Sequence, residues 1–223
     1  NSLVDINLPV RFLRSLLRIL DSKQYDLVLV FDIHAGAALL SRAVLARMTR
    51  NRQSNTLPVA TGSFADSNDG VVPSGSDIPR WIMAFEHQRS SCDDLQENLL
   101  KQGLGGPCGV AFAPWIEVRG CEPDGLFYSC SEDLERVRQW LPNDARLLVM
   151  LGSRLGETLE GRGAAVPYLL QHLPTQNLDI IAEGEGYESE RRLRTDWHSL
   201  LESRGRDFSW LEVPNGFGVS ING

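Results

Sequence analysis

The stretch RLLVMLGSRLGETLEGRGAAVPYLLQHLPTQNLDIIAEG, residues 146–184, decides how the rest of the chain is read. Arg146 to Leu151 is a short, largely apolar run that stops at Gly152, the pattern of a strand buried on both faces. Ala164 to Leu173 reads as a helix, and Asn177 to Gly184 as a second strand. The whole has the length of a strand–helix–strand crossover, the unit from which parallel sheets are built. It leaves Gly152, Ser153 and Arg154 at the end of the first strand, with Arg162 and Gly163 just before the helix.

Working outward, the same alternation recurs. Asn7-Leu8-Pro9 suits a helix start, and Leu13, Leu16, Leu17 and Leu20 follow at helical spacing. YDLVLVFD (25–32) is a second buried strand, followed by a small-residue turn and a helix over 34–53. TLPVATGSF (56–64) is the next predicted strand, and 65–79 is a polar loop rich in Gly, Ser, Pro and Asp. The spacing predicts a helix over 80–103, broken near Ser90-Ser91. After the glycines of 103–109 come one or two short strands in 110–118, a turn in 119–129 and a helix from Glu132 to Trp140. Helix 187–203 and a strand in 207–213 close the prediction. Strands alternating with helices give an α/β fold with mostly parallel sheets. The breakers near 103–109 and 119–125 divide it into two Rossmann-like lobes: 1–106, a connector 107–144, and a partial lobe 145–223.

Composition narrows the function. The chain has 223 residues, 42% hydrophobic and 23% charged, with a formal net charge of -7. A protein that coats nucleic acid needs a basic face, which this balance disfavours. No apolar run reaches the length of a transmembrane segment, and Arg11, Arg14 and Arg18 interrupt the N-terminal one. The cysteines at 92, 108, 121 and 130 form no CxxC pair and have no histidine at zinc-site spacing. These features lead us to expect a cytoplasmic protein with reduced cysteines, no metal site and no cofactor. A chain that begins with Asn is expected to have been processed or cut from a longer one.

Ligands in open α/β sheets bind beyond the carboxyl ends of the strands, so candidate residues are sought there. Gly152, Ser153, Arg154, Arg162 and Gly163 combine two guanidinium groups with a helix start, a fit for a diphosphate. The alternative is a solvated loop in which the arginines pair with Glu157 and Glu160. Glu183 and Gly184 end the next strand, where a carboxylate accepts sugar hydroxyls and a glycine admits a ligand close to the backbone. His34, after the strand 25–32, and Glu86 are candidate catalytic groups on the acceptor side.

Two resemblances follow from these motifs. Taken in order, YDLVLVFDIHAGAALLSRAVLARM, LPVATGSF, FEHQRSSCDDL, IEVRGCEPDGLFYS and the stretch 146–193 resemble retaining glycosyltransferases of the GT-B type. That resemblance implies a nucleotide-sugar donor, with Arg154 and Arg162 on its diphosphate, and an unknown acceptor. It also implies that the chain is part of a longer enzyme. The alternative is a non-catalytic α/β subunit of a larger assembly. The second resemblance rests on FDIHAGAALLSR, which is similar to the cofactor loop of methyltransferases that use S-adenosylmethionine. That family expects a second acidic residue at the end of the following strand, to hold the ribose, and PVATGSF supplies none.

Overall fold

Five residues of unbroken apolar character, Leu27–Phe31, form strand β1, and all five are buried. A strand buried on both faces needs layers on both sides, and the alternation of its side chains sorts them. Leu27, Leu29 and Phe31 join one apolar cluster, and Val28 and Val30 join another. The structure is a computed structural model that describes residues 10–31, 82–106, 108–118, 125–152, 163–183, 187–213 and 216–223.

Helix α1 (Val10–Ser22) precedes β1. Strand β2 (Ile82–Glu86) leads to α2 (Arg89–Lys101) and β3 (Cys108–Phe112). A hairpin of β4 (Trp115–Val118) and β5 (Gly125–Tyr128) follows, then α3 (Ser131–Trp140). Next come β6 (Arg146–Leu151), α4 (Ala165–His172), β7 (Asn177–Glu183) and α5 (Tyr187–Ser203). Strands β8 (Phe208–Leu211) and β9 (Gly216–Ile221) complete the set.

Seven of these strands form one sheet in the order β3-β2-β1-β6-β7-β9-β8. The first five are mutually parallel; β9 runs antiparallel to β7, and β8 antiparallel to β9. Helices α3, α4 and α5 and the inner side of the hairpin cover one face, and α1 and α2 cover the other.

The α/β class and the mostly parallel sheet agree with the sequence, as does the crossover over 146–184. The two-lobe GT-B arrangement does not. β1, from the segment expected to form the first lobe, is hydrogen-bonded along its length to β6, from the segment expected to form the second. The register Leu27↔Leu147 through Phe31↔Leu151 makes them neighbours at the centre of a single sheet. The helix predicted over 80–103 is also corrected. Its first part is β2, buried throughout, and only Arg89–Lys101 is helical. A short apolar run does not by itself distinguish a buried strand from a buried helix. The segments predicted as a helix over 34–53, a strand over 56–64 and a loop over 65–79 lie outside the described residues.

At the amino edge of the sheet one carboxylate ties the α1–β1 connection to strands β6, β7 and β9. Asp179 of β7 is fully buried. It accepts hydrogen bonds from the Lys23 ammonium at 2.8 Å, the Tyr25 hydroxyl at 2.5 Å and the Ser220 hydroxyl at 2.5 Å. Arg146 Nη1 lies 3.6 Å from Oδ1, the oxygen to which Ser220 donates. A buried charge held this way is compensated both electrostatically and by hydrogen bonds.

Candidate functional site

All five parallel strands end at the opposite edge, and their last residues define what a ligand there would meet. β1 ends at Phe31, β2 at Glu86, β6 at Leu151 and β7 at Glu183. From β1 the chain proceeds to β2 and β3 on one side, while β6 and β7 lie on the other. The order therefore reverses between β1 and β6, and the crevice beyond such a switch point is where open α/β sheets bind ligands.

The walls of this crevice are set by packing. The Gly152 N–H donates to the Phe31 carbonyl at 2.9 Å, so the β1–β6 ladder continues to the rim. The Phe31 ring stacks on Phe85 at 4.7 Å between centroids and meets Phe127 and Tyr128 at 5.0 and 5.2 Å. This fully buried aromatic group closes the floor beneath the carboxyl ends of β1 and β2. Gly163, at the start of α4, gives its carbonyl to the indole N–H of Trp197 at 3.3 Å, fixing that helix start against α5.

Glu86 is the charged residue on this rim that is best defined. Its side chain is 1% exposed, and its backbone carbonyl accepts the Ala113 N–H at 2.9 Å. That bond draws the start of the hairpin against the end of β2. The next residue, His87, stacks on Trp115 of β4 at 4.3 Å and meets Tyr128 edge-on at 6.3 Å.

The sequence candidates separate accordingly. Glu86, Gly152, Gly163 and Glu183 all belong to the carboxyl edge of one sheet. His34, Ser153, Arg154, Arg162 and Gly184 lie outside the described residues. The position of Glu86 differs from expectation, because it ends a strand and does not sit within a helix. The described strand paired with β1 thus ends in an acid, Glu86. The signal in the sequence was IMAFE, an apolar run closed by an acid. The His87–Trp115 stack left no sequence signal, since the two residues belong to different elements.

Among the described residues, no group of His, Cys, Asp and Glu is arranged to hold a metal ion. Cys92, Cys108 and Cys130 are buried and form no disulfide. Burial, with the charge of Asp133 adding to it, pushes the Cys130 thiol well above its ordinary range, so it stays protonated and unreactive. No helix among the described residues is long and apolar enough to cross a membrane.

Among the solved structures similar to this chain are several methyltransferases. One, a methyltransferase from Geobacter sulfurreducens, is 13% identical with a TM-score of 0.48, over 94% of this chain and 77% of its own. A SAM-dependent methyltransferase from Aquifex aeolicus is 16% identical with a TM-score of 0.47, over 96% and 92%. An O-methyltransferase from Bacillus cereus, solved with SAH, is 12% identical with a TM-score of 0.46, over 96% and 80%. No protein-family profile and no curated protein sequence matches the chain. At this level of similarity the structural matches by themselves assign no activity.

The single seven-stranded sheet, with β1 and β6 hydrogen-bonded side by side, overturns the GT-B resemblance and the nucleotide-sugar donor it implied. Arg154 and Arg162, expected on the donor diphosphate, lie outside the described residues.

Proposed function

We propose that the chain is a methyltransferase that binds S-adenosylmethionine at the carboxyl edge of β1 and β2. The observation that carries this reading is the placement of Glu86, a buried carboxylate ending the strand next to β1, beside the switch point. A carboxylate is an acceptor of hydrogen bonds, and ribose hydroxyls are donors of the kind it takes. FDIHAGA, which starts at the last residue of β1, supplies the small residues needed for a close backbone approach. The residues present therefore fit this cofactor, and they fit it without the two-lobe cleft that a sugar-nucleotide donor requires.

Each residue has a limited task in this reading. Glu86 holds the ribose and so fixes the cofactor along the rim. Phe31 and Phe85 exclude water from beneath it. Gly152 marks where β6 ends and the opposite wall begins. When bound, the cofactor supplies an electrophilic methyl group on a positively charged sulfur.

Calorimetric titration with S-adenosylhomocysteine tests the proposal. Wild-type protein should bind, and Glu86→Gln should weaken binding by roughly ten-fold or more, as expected for loss of a charge-assisted hydrogen bond worth about 1.5–3 kcal/mol. A wild-type protein that gives no heat and no thermal shift with this ligand would rule the reading out.

A further inference from the structure

The junction between β2 and α2 is short. Only His87 and Gln88 separate Glu86 from Arg89, the first residue of the helix. Ser, Thr, Asp or Asn at the N-cap would tie such a turn to its helix through the side chain; Gln88 makes no side-chain cap hydrogen bond. Support for the turn comes instead from the segment beyond β3. The Ala113 N–H donates to the Glu86 carbonyl at 2.9 Å. The His87 ring stacks on the Trp115 indole, with centroids 4.3 Å apart and planes 20° from parallel.

Alternation along β2 shows what that stack can do. Met83 and Phe85 join the apolar cluster that contains Phe127 and Tyr128 of the hairpin, whereas Ile82 and Ala84 join the cluster on the opposite face. Glu86 continues the second set and His87 the first, where it also meets Tyr128 edge-on. A ring held on one face therefore fixes the peptide that carries the carboxylate on the other. Tyr128, the cross-strand partner of Trp115, is fully buried and anchors this end of the hairpin. Trp115 itself is 42% exposed and adds little to the core. The ring contact it makes among the described residues is with His87.

We propose that Trp115 is a positioning residue: by clamping His87 it holds the end of β2 so that Glu86 presents its carboxylate to the cofactor ribose. This role rests on the cofactor reading above, and Trp115 acts through Glu86 without touching the ligand. Two flat rings at this separation restrain each other, because an aromatic pair has a preferred offset geometry. A binding group works best when its neighbours already hold it near the bound arrangement, which lowers the ordering cost of binding. The uncapped two-residue junction does not supply that by itself, and the hairpin does.

Calorimetric titration of the full chain and its variants with S-adenosylhomocysteine tests this role. Trp115→Leu should weaken binding roughly three- to ten-fold, and Trp115→Phe, which keeps a flat ring against His87, should retain most of it. In the Glu86→Gln background Trp115→Leu should have no further effect, because the carboxylate that Trp115 positions is gone. A purely structural residue would weaken binding equally in both backgrounds. Circular dichroism identifies any variant that has lost its fold; if Trp115→Leu does so, Trp115→Thr, suited to an exposed strand, takes its place. A wild type that binds while folded Trp115→Leu binds equally well overturns the positioning role and leaves the cofactor site standing. So do equal losses in Trp115→Leu and Trp115→Phe, or losses that add to that of Glu86→Gln. A wild type that does not bind removes the cofactor reading and this role with it.

Discussion

Asp179 illustrates how much one residue can hold. Its carboxylate has no contact with solvent, and its hydrogen-bond partners come from the α1–β1 connection and from β9. Asp179→Ala would leave the Tyr25 and Ser220 hydroxyls without their acceptor, while Lys23, which is partly exposed, can turn to water. Removing one member of a buried charged network costs about 3–5 kcal/mol, and the solvation open to Lys23 places this case at about 3 kcal/mol. Tyr25→Phe keeps the ring and loses one hydrogen bond, so about 1–2 kcal/mol is expected. Urea unfolding of both variants checks the order. Equal losses would mean that the hydroxyl, and not the charge, is what matters.

At the scale of elements, two glycines make opposite demands. Gly205 follows α5 in the left-handed region, at φ 62°, and its N–H donates to Glu202 while Arg206 N–H reaches back to Leu201. This is a Schellman cap, and a Cβ added at Gly205 meets nothing within 4 Å. Gly205→Ala therefore costs only the backbone strain, about 1 kcal/mol, or roughly 2–4 °C in Tm for a chain of this size. Gly218 of β9 has no such freedom: a Cβ there would lie 2.9 Å from the Ile180 carbonyl oxygen and 3.1 Å from a methyl of Ile181. Gly218→Ala should cost more, about 2–3 kcal/mol, because the β7–β9 ladder would have to move. Thermal melts of the two variants should rank them in that order.

The same strand shows what the sequence could not convey. VPNGFGVSI reads as a breaker because of its proline, asparagine and glycines, yet Gly216–Ile221 is a nearly fully buried strand between β7 and β8. Its glycine answers a close approach that exists only once the sheet is assembled. β2 was hidden for another reason, since IMAFE runs straight into a helix and lacks a turn residue to divide them. The crossover over 146–184 was legible because its buried strands and intervening helix each occupy a separate run. For the candidate site, the identity of Glu86 was visible and its location was not. Whether an acid lies inside a helix or at a strand end depends on where β2 stops.

For the whole molecule, buried acids set the response to alkali. Burial, with the charge of Asp179 adding to it, pushes the Tyr25 phenol far above its ordinary range. Burial likewise raises the Tyr168 phenol and the Cys130 thiol. The native protein keeps all three protonated, while the unfolded chain releases the thiol near about pH 8.5–9 and the phenols near about pH 10. Their contribution is thus complete below about pH 8.5 and is lost as the pH rises further. Each ionising group adds a slope of about 1.4 kcal/mol per pH unit. Urea titrations at about pH 8 and pH 11 should show this fall, made shallower by Tyr25→Phe. A flat profile would contradict it.

The central place of β1 also has a consequence in time. One side of β1 is closed by residues 82–86 and the other by residues 147–151, and Asp26 just before it accepts the backbone N–H of Arg146. During synthesis β1 emerges well before the segment that closes its second side; among the described residues two further strands, a hairpin and two helices are made between them. Contacts so distant in sequence slow the search for the native state, because the loop must be closed before the contacts reward it. A strand buried along its whole length is therefore enclosed late, and a growing chain must keep Leu27 to Phe31 from other partners until β6 arrives.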